Sequence, residues 1–169
     1  MNRRFRLRLY LETTTFNWFF DEREGHDDVV KLFEAIKAGE FTGYTSRYVT
    51  DELEQAPEPK RSDMLALIYG YGIQLLARNE NAEALARKYI ADGVIPASHF
   101  YDSVHVAISV IHELNMIVSY NFHHINRNKT STLTAIINES EGYTPVAICT
   151  AEEVLKYGGS IRGNGSDRG

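Results

Sequence analysis

Three polar residues stand where apolar runs end or begin. Glu12 follows the alternating segment 5–11, Asp102 opens a long apolar helical stretch, and Asn121 follows the apolar run 116–119. In α/β proteins the carboxyl ends of parallel strands and the first turns of the following helices meet at one edge of the sheet, so residues far apart in sequence converge there. The expectation is a shared acidic pocket. Carboxylates gathered in one place repel unless a hard divalent cation offsets their charge, and an oxygen-rich, nitrogen-poor site suits Mg²⁺ or Mn²⁺ better than Zn²⁺. Such an ion lowers the pKa of a bound water and neutralises charge developing on phosphate oxygens, which is the chemistry of metal-assisted phosphodiester hydrolysis.

The elements that must position these residues follow from periodicity and breakers. Phe5, Leu7, Leu9 and Leu11 alternate with Arg6, Arg8 and Tyr10, the period of a strand, which ends on Glu12. Val29, Leu32, Phe33 and Ile36 recur at helical spacing and Gly39 supplies a stop, predicting a helix over 27–38. A short strand over 41–45 leads to Ser46, a helix cap, and Pro57 with Pro59 ends that helix soon after Glu54. Glu52 therefore sits late on a short helix. Helices over 62–69 and 82–90 flank the apolar stretch 73–77, which is compatible with a short strand or a helical continuation. Pro96 and Ser98 prepare a helix through Leu114, with Val104, Ala107, Ile108, Ile111 and Leu114 as its buried stripe. A strand over 116–119, a helix core over 133–137 and a last strand over 146–149 follow, and Thr150 with Glu153 matches a capping box. Gly158 and Gly159 predict the end of the last helix. Alternating strands and helices imply an α/β fold, a single domain over 1–157 with a mostly parallel central sheet covered by helices on both faces. Residues 158–169 read as a flexible C-terminal tail, because they carry Gly, Ser, Asn and charge without apolar periodicity.

Composition narrows the function classes. The 169 residues suit one domain, and 43% hydrophobic with 11% aromatic residues supply material for a sizeable core. The single cysteine, Cys149, excludes an internal disulfide framework and a Cys-rich zinc site, which points to a reducing, cytoplasmic setting. No segment reaches the ~18 apolar residues of a membrane span, and the basic start lacks the long apolar region of a secretory signal. A net charge of −5 argues against a globally basic DNA-binding surface, while leaving room for a local basic rim. Neither Gly-rich phosphate-loop pattern occurs, and the G-x-S-x-G pattern of α/β-hydrolases is missing too.

Four segments together resemble a known family. Tyr10-Leu11-Glu12-Thr13-Thr14-Thr15-Phe16-Asn17, Asp51-Glu52-Leu53, Asp102-Ser103-Val104-His105-Val106-Ala107 and Ser119-Tyr120-Asn121-Phe122-His123-His124-Ile125 are similar, in order and spacing, to the landmarks of the PIN domain, the VapC-type toxin ribonucleases above all. The end segment 137–155 is similar to the closing strand and helix of that group, so the resemblance spans about residues 8 to 156. It implies a Mg²⁺- or Mn²⁺-dependent endoribonuclease, the toxin of a type II toxin-antitoxin pair, acting on RNA, dimeric, and neutralised by a small antitoxin protein. The family's acidic positions fall on Glu12, Glu52, Asp102 and Asn121, with Glu12, Glu52 and Asp102 as metal ligands and all four as catalytic residues. Two positions depart from the usual pattern. Glu12 replaces the commoner Asp and moves its carboxylate by about one carbon–carbon bond. Asn121 replaces an acid with a neutral amide, so the site carries less charge and suits one ion better than two. Asn121 therefore also favours a second reading, a catalytically weak PIN-fold module that binds RNA or protein.

Each position has a plainer role available. Glu12 also reads as a solvated strand end; Glu52, beside Asp51 and Glu54, as a solvated helix face; Asp102 suits the first turn of any helix; Asn121 shapes a turn. His105, among Val104, Val106 and Ala107, reads as a packed core histidine with a satisfied ring. His123 and His124 point apart and form no chelating pair, though either suits an RNA contact. Arg3, Arg4, Arg6 and Arg8 read as a solubilising start or as contacts to phosphates or an acidic partner segment, and Tyr10, Tyr69, Tyr71 and Tyr101 as core and interface residues rather than base-stacking platforms. Phosphotransfer through an aspartyl intermediate fits poorly, since Glu12 stands where that chemistry needs the shorter Asp.

Overall fold

The computed structural model describes residues 5–123 and 127–163, apart from the side chains of His123 and of residues 160–163. Arg3, Arg4, His124 and Ile125 lie outside the described residues. Strands β1 (Arg8–Leu11), β2 (Thr42–Ser46), β3 (Gln74–Leu76), β4 (Met116–Val118) and β5 (Ala147–Cys149) form one sheet in the order β3-β2-β1-β4-β5. Every pairing is parallel, with Leu9 beside Gly43 of β2 and Met116 of β4. The chain steps outward from β1 to β2 and β3, then returns to β4 and β5 on the other side of β1. The gap between the carboxyl ends of β1 and β4 is thus the switch point of the sheet, where α/β folds open a cleft.

Among the described residues eight α-helices flank the sheet: α1 (Thr13–Phe20), α2 (His26–Lys37), α3 (Arg47–Leu53), α4 (Lys60–Gly70), α5 (Glu80–Ala91), α6 (Phe100–Ile111), α7 (Arg127–Ser140) and α8 (Ala151–Gly163). One group packs α2 against α1 and α8, and another packs α6 against α5 and α3. Burial on both faces explains a departure from the expected strand pattern. Tyr10, placed by alternation on the face of Arg6 and Arg8, is as fully buried as Leu9 and Leu11, because a central parallel strand has no solvent face.

Helix α2 ends as its glycine predicts: Gly39 adopts a φ of 81°, and the Glu40 N–H donates to the Ala35 carbonyl at 2.9 Å. Nothing in the spacing of 13–20 predicts α1. Its Thr-rich, aromatic sequence has poor intrinsic helix propensity, but Glu12 caps it and Phe16 is fully buried against Phe33, a burial that contributes about 1.5–3 kcal/mol. The open segment 73–77 resolves as strand β3. The capping box at Thr150 forms, with the Thr150 N–H donating to Glu153 Oε1 and the Glu153 N–H to Thr150 Oγ1, each at 3.3 Å. Helix α8 does not stop at Gly158 and Gly159 but continues to Gly163. Glycine costs only about 1 kcal/mol in a helix, and Gly158 is buried, a position where its lack of a side chain suits packing. Residues 158–163 of the expected tail are therefore helical, and 164–169 lie outside the described residues. Of the tyrosines read as core and interface residues, Tyr10 is buried in the core, while Tyr69 and Tyr101 are exposed and lie outside it. No described helix is long and apolar enough to cross a membrane.

Candidate active site

Glu12 leaves β1 at the switch point, and its backbone N–H donates to the Val118 carbonyl of β4 at 3.1 Å. Its side chain turns inward to cap α1. Oε2 accepts from the Thr14 N–H at 3.3 Å, from Thr14 Oγ1 at 2.6 Å and from Ser119 Oγ at 2.6 Å. The residue is buried, which pushes its carboxyl pKa up, while the nearby His105 charge and the Ser119 and Thr14 hydroxyls pull it down less strongly.

Glu52 sits on the last turn of α3 with its side chain 33% exposed. Its Oε1 accepts from Thr13 Oγ1 at 3.0 Å and faces His105 Nε2 at 2.5 Å. His105, on α6, is wholly buried; its Nδ1 lies 2.6 Å from the Tyr10 hydroxyl, which lies 2.7 Å from Ser46 Oγ. Burial alone lowers a histidine pKa, but the Glu52 carboxylate at Nε2, with Glu12 and Asp102 nearby, outweighs it and raises the His105 pKa. With the ring protonated, Nε2–H donates to Glu52, Nδ1–H donates to the Tyr10 oxygen, and the Tyr10 O–H donates to Ser46.

Asp102 occupies the first turn of α6, as the sequence predicts. Its Oδ1 accepts from Asn121 Nδ2 at 2.7 Å and its Oδ2 lies 2.9 Å from His99 Nδ1. The Asn121 N–H donates to Ser119 Oγ at 3.1 Å, and that hydroxyl in turn donates to Glu12. One chain of contacts thus runs from His99 through Asp102, Asn121 and Ser119 to Glu12, and Thr13, next along from Glu12, ties in Glu52. Beside it Trp18 stacks on Tyr120 with centroids 3.6 Å apart, and the Tyr120 hydroxyl accepts from the Ala151 N–H at 3.1 Å.

The four expected residues are therefore brought into one network at the carboxyl edge of the sheet. His105 is the satisfied core histidine its apolar neighbours suggest, and its Nε2 also faces Glu52, whose carboxylate favours the protonated ring. Thr13, Ser119 and His99 were not singled out by sequence. Their signal lies in position, since each is within three residues of an expected site residue.

A three-carboxylate metal centre is not preformed in this arrangement. Among the described residues no group of three or more His, Cys, Asp or Glu side chains could hold a metal ion. The donor chemistry explains why: Glu12 faces Ser119 and Thr14, Glu52 faces His105 and Thr13, and Asp102 faces Asn121 and His99. Glu12 accepts through Oε2 and Glu52 through Oε1, whereas Asp102 is engaged through both oxygens, so an ion shared by the three can use the other oxygens of Glu12 and Glu52 but requires Asp102 to exchange partners.

No family model matches the sequence, and no curated protein matches it. Solved structures do. VapC20 of Mycobacterium tuberculosis, a toxin that cleaves the sarcin-ricin loop, superposes with a TM-score of 0.55 at 11% identity, over 68% of this chain and 91% of its own. VapBC2 from Rickettsia felis, solved bound to a DNA fragment from their promoter, superposes with a TM-score of 0.53 at 11% identity, over 71% of this chain and 94% of its own. Identity this low speaks to architecture, and the all-parallel sheet with its acidic switch point agrees with it. The chain has a VapC-type PIN fold.

Proposed function

We propose that the chain is a PIN-type endoribonuclease, the toxin of a type II toxin-antitoxin pair, with Glu12, Glu52, Asp102 and Asn121 as its catalytic site. The observation that carries this reading is the joining of those four residues, from four separate segments, into one network at the switch point. In it, Glu52 is the carboxylate most open to solvent, placed to take a proton from the water that attacks phosphorus. His105 and Thr13 hold Glu52 in that orientation, and Asn121 holds Asp102. Mg²⁺ or Mn²⁺ at Glu12, Glu52 and Asp102 belongs to this reading, with the exchange of partners described above as its condition. A small antitoxin protein, a homodimer and a cytoplasmic setting complete it.

The engagement of each carboxylate by protein donors, with Asp102 bound through both oxygens, favours a second reading, a PIN-fold module that holds RNA or a protein without cleaving. One experiment separates the two: a mixed RNA pool is incubated with purified protein in Mg²⁺, in Mn²⁺ and in chelator. Cleavage that needs metal and falls by about 10²-fold or more in Glu52→Gln and Asp102→Asn supports the nuclease. RNA retained intact under every condition supports the module.

A further inference from the structure

Beside Glu52 a cavity of about 540 Å³ opens between α3 and the start of α6, lined by Asp51, Glu52, Glu54, Gln55, Arg78 and Tyr101. Its volume lies in the range of small-molecule sites. Tyr101, the residue before Asp102, is 43% exposed and forms the aromatic wall. That ring is held from behind: Tyr48, buried, meets it edge-on with centroids 6.5 Å apart. Arg78 lies over the Tyr48 ring at 5.6 Å and is anchored to Asp51 at 2.5 Å.

We propose that this cavity seats one unpaired nucleobase of the RNA, stacked on Tyr101, beside the nuclease site. The proposal rests on the nuclease site reading above and deepens it. Two features select a base over a phosphate. The lining carries the carboxylates of Asp51, Glu52 and Glu54 against the single cation of Arg78, so a further anion is repelled. A neutral base, in contrast, offers a π-face to an exposed ring whose orientation is already fixed, so little order is lost on stacking. Asp51 is committed to Arg78 and Glu52 to His105 and Thr13, which leaves Glu54, an acceptor only, to favour bases that present N–H donors. Guanine, with adjacent N1–H and N2–H groups, matches a carboxylate's two oxygens best.

The test is fluorescence anisotropy of short labelled single-stranded oligonucleotides that differ in one base, in chelator, against wild type, Tyr101→Leu, Tyr101→Phe and Tyr101→Trp. Tyr101→Leu is expected to weaken binding by about fivefold to a hundredfold. The Phe and Trp variants are expected to retain it, the slope of affinity against salt is expected to stay unchanged because Tyr101 meets no phosphate, and guanine is expected to bind best. Three outcomes overturn the proposal: no oligonucleotide binding by wild type, unchanged binding in the Leu variant, or equal loss in all three variants. RNA cleavage that is indifferent to Tyr101 refutes the base seat and leaves the nuclease standing. Binding through Tyr101 without cleavage in any metal refutes the nuclease and leaves the base seat standing.

Discussion

Asn121→Asp puts a carboxylate where an amide now donates to Asp102 Oδ1 at 2.7 Å. The variant loses one hydrogen bond to a charged acceptor, worth about 1.5–3 kcal/mol. It also sets two anionic oxygens against each other in a site where Asp102 is buried. Two unit charges about 4 Å apart repel by about 4 kcal/mol at an effective dielectric of about 20. Near pH 8 in chelator the two effects sum to about 5–7 kcal/mol, which in a domain of this size lowers the melting temperature by about 10–28 °C. Near pH 5 a shared proton restores an O–H donor toward Asp102, so the loss shrinks. Millimolar Mg²⁺ or Mn²⁺ should recover stability in the variant more than in wild type, because the added anionic oxygen replaces a donor that a cation cannot use. Thermal unfolding followed by circular dichroism at both pH values, with and without metal, checks all three effects. A loss of equal size at both pH values, or no loss at all, refutes the electrostatic reasoning.

Tyr10→Phe strands the buried His105 Nδ1 and takes one partner from Ser46, and each orphaned group costs about 1–3 kcal/mol; denaturant unfolding should show a loss of about 2–4 kcal/mol, and a variant as stable as wild type argues against the relay. Glu12 and His105, both buried, have raised folded-state pKa values, and the partly buried His112, its pKa lowered chiefly by burial, opposes them. Glu12 and His105 therefore each contribute stability that is complete below the group's unfolded pKa, about 4.3 for Glu and about 6.5 for His, and is lost as pH rises through its folded value. Metal-free melting temperatures should fall from about pH 5 to about pH 8, Glu12→Gln should flatten that fall, and a rise over the same window contradicts it.

The sequence exposed the fold through features that act locally. Leu9 and Leu11, the 29–36 helical stripe, Ser46 as a cap and the Thr150–Glu153 box each specify an element without reference to distant residues, and each element stands where they put it. Helix α1 escaped because Thr13, Thr14 and Thr15 disfavour a helix by propensity, and only burial of Phe16 and capping by Glu12 reverse this. The extension of α8 escaped for the opposite reason: two glycines announce a stop, but a buried Gly158 is tolerated within a helix. At the site, the acidic positions were legible because each ends a strand or occupies a helix near that edge. Their compensation was not, since the contacts of Glu52 with His105 and of Glu12 with Ser119 join residues 53 and 107 positions apart. Such pairings exist only once the switch point closes.

The stack of Trp18 on Tyr120 has a practical consequence. Trp18 is the protein's single tryptophan, so all indole emission comes from one ring pressed against the residue between Ser119 and Asn121. Any ligand that pulls Ser119 from Glu12 or Asn121 from Asp102 disturbs Tyr120, and with it the surroundings of that indole. The unlabelled molecule thus carries its own optical probe at the switch point, and titration of ions or nucleotides can be followed by emission alone, before any cleavage assay is in hand.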